Sequence, residues 1–392
     1  MLNRRNILAA TPSAALAATT KENKFDPFKQ DAKQQQYHNI RFPKLDHESL
    51  QDFVVGFKNF QGSEGGAARA AHDKFLKASG LPTGDSNHGF EEAHKIMLGD
   101  SVYAARTRLS RSCQHLMWDR AQRVFHNDAD HFLGLMEETD AKGPGKLELN
   151  PDMKLPDYTT HEIHTQPGGY VGDPFAGWIY HYAVNTGFFQ GRSDHEEIHL
   201  AIAQAHPMPA DGEVKRVLDI GCGTGQSTTS IKERFPNAEV WGIDVGGPMV
   251  RYAHHRAVKM NLDVNFAQRI AEDTKFPDNY FDIVTDHIVF HEVPAVEAKQ
   301  IVAEMHRVLR PGGVFSHVDV GTTGHPKYVG PNTLPAKASV WVDHRLNFEP
   351  WTIQYRLSDF PNVLRQAGFE VDTEVPANRW NMYPGVAATK KA

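Results

Sequence analysis

The chain has 392 residues, 42 Lys and Arg against 48 Asp and Glu, and a formal net charge of −6. This length exceeds what one hydrophobic core usually holds, so two domains, or one domain with a large cap, are expected. With no basic excess and no Lys/Arg run, the electrostatic footprint of a nucleic-acid binder is missing. Cys113 and Cys222 are too few for a disulfide framework or a cysteine-rich metal site, and no apolar run reaches the ~18 residues of a membrane span.

Residues 1–35 are set apart from the fold. Arg4 and Arg5 precede a weakly apolar, Ala-rich stretch, and Ala15-Leu16-Ala17 offers a small-x-small cleavage pattern. This resembles a twin-arginine export signal, and a disordered basic tail reads equally well. From 46 to 60, Leu50, Phe53, Val54 and Phe57 form a helical stripe with Asp46 or Ser49 as N-cap. A second helix over 67–79 stops at Gly80-Leu81-Pro82, and the pattern stays helical from Phe90 to Glu138, with Gly99 or Ser110 as breaks. Residues 36–140 therefore read as a helical cap domain.

Lys142 to Asp173 has Pro144, Pro151, Pro156 and Pro167 and no period, so 141–192 is a connector leading into a helix at Asp173-Pro174. Ordered loops of this length are often functional. Ser193 and Glu196 have capping-box spacing and open a helix through His206.

Residues 193–392 are α/β. Val217-Leu218-Asp219-Ile220 is a short apolar run with one acid, stopping at Gly221-Cys222-Gly223-Thr224-Gly225 before a helix-like segment, Ser227 to Phe235. Glycines at 221, 223 and 225 remove each Cβ and permit positive φ, so a ligand can lie on bare backbone at the carboxyl edge of a parallel sheet. The next apolar run ends in Asp244, placed to accept hydrogen bonds from both hydroxyls of a ribose. The glycine spacing differs from the dinucleotide fingerprint. Asp219 would repel a pyrophosphate and can orient an ammonium group.

These motifs resemble those of the class I S-adenosylmethionine (SAM) dependent methyltransferases, of the small-molecule type similar to the ubiquinone and menaquinone biosynthesis enzymes. Phe276-Pro277-Asp278 with Asp282, Arg307 to Gly313, and Leu364 to Val371 resemble later parts of that family, over roughly 195–375. The resemblance implies a Rossmann-like sheet with helices on both faces and SAM as cofactor. The cofactor would be held by Asp219, Gly221, Gly223, Gly225 and Asp244, with Ala271, Glu272 and Asp286 beside it. It also implies a lid over the pocket at Trp178 to His195. An insertion at about 321–360 carries aromatic and basic residues that suit a pocket wall or ordinary packing. One departure stands out: where the family commonly has an acid for the adenine amino group, this chain has Ile270.

Methyl transfer from a sulfonium is an in-line displacement that needs alignment above all. A base, where one is needed, comes from the segment after the fourth strand, here 286–293. His291 matches the family's histidine and is the candidate general base. Glu292 and His287 are weaker candidates, because Glu292 points elsewhere if the chain is helical there. The histidines at 161, 164, 181, 195 and 199 invite a metal reading, but no third ligand is fixed by spacing and the HExxH order is absent. No metal is expected.

The expected activity is methylation of a small molecule, at oxygen or carbon rather than nitrogen. Nucleic acid is not an expected partner, and the oligomeric state is left open, a homodimer included. Two alternatives remain: a SAM-fold enzyme with other chemistry, and an exported binding protein on a methyltransferase scaffold. SAM supply favours the cytoplasm, whereas the paired arginines favour the periplasm.

Overall fold

The computed structural model describes residues 42, 44–183, 197–375 and 385–391. The twin-arginine-like start and the Ser193 to Glu196 capping box lie outside the described residues. The cap is built from α1 (Leu45–Ser63), α2 (Gly65–Ala78), α3 (Phe90–Met97), α4 (Ser101–Asn127) and α5 (Ala129–Glu137). The break expected at Gly99 is present. Asp100 caps α4, its carboxylate accepting from Val102 N at 2.9 Å. Ser110 is not a break but an exposed residue inside α4, where serine weakens a helix without ending it. The second break falls at Asp128, which leaves helical geometry at φ −125°, ψ 43°.

The connector contributes more than a loop. Leu147–Glu148 forms β1, which pairs in parallel with Phe266 and Ala267. Gly145 passes so close to the sheet that a Cβ there would lie 1.8 Å from Val264 O. After it comes α6 (Ala176–Ala183), buried at every residue but the half-buried Tyr180. Trp178, Ile179 and Tyr182 join Trp118, Phe125, Phe132 and Tyr252 in one core cluster. The described part of the expected lid, 178–183, is therefore core, because it has no polar face to leave in water; the remainder lies outside the described residues.

The sheet follows, with α7 (Glu197–Ala205), β2 (Arg216–Ile220), α8 (Gln226–Arg234), β3 (Glu239–Asp244), α9 (Gly247–Met260), β4 (Val264–Gln268), β5 (Phe281–His287), α10 (Ala295–Val308) and β6 (Leu309–Val318). The insertion holds α11 (Leu334–Leu346) and α12 (Thr352–Arg356), and the chain continues through α13 (Phe360–Gln366), β7 (Phe369–Asp372) and β8 (Gly385–Lys390). Strand order is β1-β4-β3-β2-β5-β6-β8-β7. All pairings are parallel except those of β8 with β6 and β7. Strand order reverses between β2 and β5, and their carboxyl ends frame the crevice where open α/β sheets bind ligands. Separate apolar clusters pack the two faces. α11 packs Leu334 and Ala338 against Leu76, Ala93 and Met97, so the cap takes helices from both sides of the sheet in sequence. Among the described residues no helix is long and apolar enough to cross a membrane.

Candidate active site

The glycine turn joins β2 to α8, and its three glycines serve different purposes. Gly221, Gly223 and Gly225 all have positive φ, at 60°, 51° and 73°. A Cβ on Gly221 would meet Val289 Cγ2 at 2.6 Å, and one on Gly225 would meet Phe266 Cζ at 2.8 Å and Ala253 Cβ at 2.9 Å. Those two glycines allow packing. A Cβ on Gly223 would meet only Met249 Cε at 3.7 Å, so its α-carbon faces open space. The nearby carboxylate of Asp244 accepts from Gly223 N at 2.9 Å and from Gly246 N at 2.8 Å. Burial raises its carboxyl above the usual range despite those bonds.

The structure sets Asp219 beneath this turn. It is 1% exposed, and its carboxylate accepts the Thr228 hydroxyl at 2.6 Å. Burial pushes it up to about 7. Cys222 is buried too, which raises its thiol well above the ordinary value, and it serves as a small residue that fits. Beyond β4, Ile270 and Ala271 are half-buried. Glu272 Oε1 accepts the phenol of Tyr158, a connector residue, at 2.7 Å.

Past β5 the chain turns sharply at Ile288, a β-branched residue at φ 61°. Such a residue in the left-handed region is a strained outlier of the kind that collects at functional sites. A short 3₁₀ turn, Phe290–Glu292, follows. Asp319, just past β6 and fully buried, organises it. Its Oδ2 accepts from Phe290 N at 2.7 Å and His291 N at 3.2 Å, and its Oδ1 lies 2.6 Å from His291 Nδ1. One carboxylate thus fixes both the turn and the ring. His291 Nε2 is then 3.3 Å from Glu292 Oε1. Neighbouring side chains on a regular helix would diverge; on this turn Glu292 and His291 face one cluster, correcting the expectation that Glu292 points away. Burial works against charge on His291, but Asp319 and Glu292 outweigh it and raise the imidazole well above its ordinary value.

Asp286 and His287 go elsewhere. Asp286 is buried against His317 Nδ1 at 2.8 Å, and His317 Nε2 lies 2.7 Å from the Tyr355 hydroxyl. Burial raises Asp286 to about 6. His287 stacks edge-on to His199 at 5.5 Å, and burial pushes it down to about 3, leaving a neutral ring. The histidines of the metal reading do not gather at one point: His181 Nδ1 lies 2.6 Å from the Tyr252 hydroxyl, His161 Nε2 3.2 Å from Phe348 O, and His195 falls outside the described residues.

Between α4 and α11 a cleft of about 510 Å³ is lined by Arg106, Arg111, Gln114, Thr165, Asp343 and Asn347 among others. A shallower cleft of about 650 Å³, walled by Phe90 and Trp341, lies on the other flank of α11. Neither is lined by the glycine turn.

Residues 217–313 match the methyltransferase domain family. The chain carries a class I SAM-dependent methyltransferase domain. Among relatives, a demethylmenaquinone methyltransferase of Thermus thermophilus is 40% identical over 99 residues, 25% of this chain and 44% of that one. A ubiquinone/menaquinone biosynthesis C-methyltransferase of Cupriavidus taiwanensis is 29% identical over 183 residues, 46% of this chain and 73% of the relative. A fatty-acid O-methyltransferase of Mycolicibacterium smegmatis is 34% identical over 119 residues, 30% and 40% of the two chains. The chain spans somewhat under half the length of the first of these. The cofactor of the methyltransferase domain is SAM. The residues present fit a nucleoside cofactor: the turn is open above Gly223, and Asp244 stands beside it with its carboxylate already oriented by backbone N–H groups.

Sequence reasoning missed Asp319, Tyr158 and Glu349, and it noted His164 only among the scattered histidines of the metal reading, not beside His291. Asp319 left a trace, an acid between Val318 and Val320 at the carboxyl end of an apolar strand. Tyr158 and Glu349 carry no local signal.

Proposed function

We propose that this protein transfers the methyl group of SAM to a small-molecule acceptor, at an oxygen or an activated carbon. The observation that carries the reading is the pairing of an open glycine turn and Asp244 with an oriented polar turn, Phe290–Glu292, across the β2/β5 crevice. Bound SAM supplies an electrophilic methyl on a sulfonium. The chain's own task is to align the acceptor and take up its proton. Gly223 and Asp244 hold the nucleoside on a turn that Gly221 and Gly225 allow to pack, while Asp219 steadies the turn through Thr228. Ala271 and Glu272 border the adenine end, where Ile270 replaces the usual acid.

His291 is the acid–base group, and Asp319 is its positioning residue. An imidazole between two carboxylates is a strengthened base that already carries a proton, so that proton must leave before another is taken. Glu292, at 3.3 Å, is the exchange partner. His287 and Asp286 belong to the support of β5 in this reading. The cleft between α4 and α11 is the proposed entrance for the acceptor.

The test is calorimetric titration of SAM and S-adenosylhomocysteine into protein lacking residues 1–20, repeated with Asp244→Ala. Micromolar binding that the variant loses supports the cofactor site. An acceptor screen read by a mass gain of one methylene, with His291→Ala as control, then tests the chemistry. Folded protein that binds neither ligand overturns the reading.

A further inference from the structure

Next to His291 lies a cluster of which only Glu292 has a part in the proposed methyl transfer. His164, Glu292 and Glu349 come from the connector, the turn after β5 and the segment after α11. One ligand atom from each lies within 4.8 Å of the other two. His164 Nε2 is 3.6 Å from Glu292 Oε1, and His164 Nδ1 is 3.1 Å from Glu349 Oε1. We propose that His164, Glu292 and Glu349 bind one divalent transition-metal cation, with the imidazole and carboxylate donors that suit Mn²⁺, Fe²⁺ or Zn²⁺.

The first support is a half-met carboxylate. Both oxygens of Glu292 are buried; Oε1 faces only the imidazoles of His291 and His164, at 3.3 and 3.6 Å, and Oε2 accepts no hydrogen bond among the described residues. A carboxylate buried without donors is expensive unless it is paired or coordinates a metal. The second is strain spent on placing an imidazole. His164 and Thr165 both have positive φ, 55° and 59°, and such conformations cost roughly 1–3 kcal/mol each and persist only where the surroundings over-determine them. Here the cap does so: Gln114 Nε2 and Trp118 Nε1 both donate to His164 O, at 2.6 and 2.8 Å.

The third support is spacing. Ligands ~2.1 Å from an octahedral ion are ~3.0 Å apart as neighbours and ~4.2 Å apart when opposite. The 3.6 Å between His164 Nε2 and Glu292 Oε1 falls inside that range, and the 4.8 Å limit of the set needs only a small contraction. Asn347 Nδ2 donates to Glu349 Oε1 at 2.6 Å and orients that carboxylate from behind. A protonated His164 bridging the two carboxylates is the rival account, and it calls for no cation.

The two accounts separate in the full chain, treated with chelator, dialysed, and titrated with Mn²⁺ alone and Zn²⁺ alone. One equivalent should bind, and His164→Ala and Glu292→Gln should each weaken it by about tenfold or more, whereas the exposed control His131→Ala should not. Circular dichroism and tryptophan fluorescence of the same samples report folding. Should His164→Ala fail to fold, the near-isosteric Glu292→Gln decides alone. Absence of stoichiometric binding, or binding indifferent to Glu292→Gln, overturns the proposal. Because cation binding is read directly, failure of the methyl-transfer reading leaves it standing, and the converse holds.

Discussion

Replacing Gly223 with alanine should separate ligand binding from folding. At φ 51° an L side chain costs ~1–2 kcal/mol, and the stiffer unfolded chain returns ~0.4–1 of that. The nearest atom to the new methyl is Met249 Cε at 3.7 Å, so no packing penalty is added. The net loss is about 1 kcal/mol. Gly225→Ala starts from the same backbone cost at φ 73°, but its methyl enters contacts of 2.8 Å with Phe266 and 2.9 Å with Ala253. Overpacking of that kind adds ~1–3 kcal/mol, for a total of about 2–4 kcal/mol. Urea denaturation followed by tryptophan fluorescence measures both. In calorimetry, Gly223→Ala should weaken SAM binding by about tenfold or more, or ~1.4 kcal/mol, because the methyl stands where the ligand lies. Wild-type affinity in folded Gly223→Ala would refute the placement of the cofactor. Equal stability of the two variants would refute the division of labour among the glycines.

Three further expectations can be checked separately. Asp319→Asn keeps the shape but loses the charge that orients His291, so kcat should fall about 10²-fold with KM for SAM nearly unchanged; a parallel loss of SAM affinity would make Asp319 a fold residue only. His206 is pushed down to about 3, by burial first and then by the charge of Arg234. Because the unfolded value is ~6.5, its contribution is fully present above that pH and declines as pH falls towards 3. The drop in Tm from pH 7 to 4 should be smaller in His206→Gln than in wild type, and equal drops would count against it. Tyr158→Phe removes the donor to Glu272 Oε1, whose Oε2 already has no partner among the described residues. The loss should be ~1–3 kcal/mol, with faster proteolysis within 141–173, and unchanged stability would show that the connector is held by other contacts.

The cofactor half was legible in the sequence because its signals are local. The apolar run at 217–220, the glycines and the Glu239 to Asp244 run each specify their own backbone, and the strands fall where those runs end. The acceptor half was not, because its geometry comes from tertiary contacts. Whether Glu292 faces His291 depends on a 3₁₀ turn that Asp319 imposes from another strand. His164 reaches the site through a conformation held by Gln114 and Trp118 in the cap. Asp128 ends α4 and Ser110 does not, although both are weak helix formers, and only packing distinguishes them. β1 is two residues long, too short to show any alternation.

That short strand sets where the chain can be cut. Without it the main-chain groups of β4 would form an open edge, a template for pairing with another molecule. β1 covers it, with Phe266 N donating to Lys146 O at 2.8 Å and Asn150 N to Gln268 Oε1 at 3.0 Å. A fragment starting after Asp173 would keep every later strand and helix yet present a sticky border to its neighbours. One starting at Gly143 would carry its own hem. Anyone seeking a minimal soluble catalytic fragment should therefore trim the cap before the connector, treating residues 143–150 as part of the sheet.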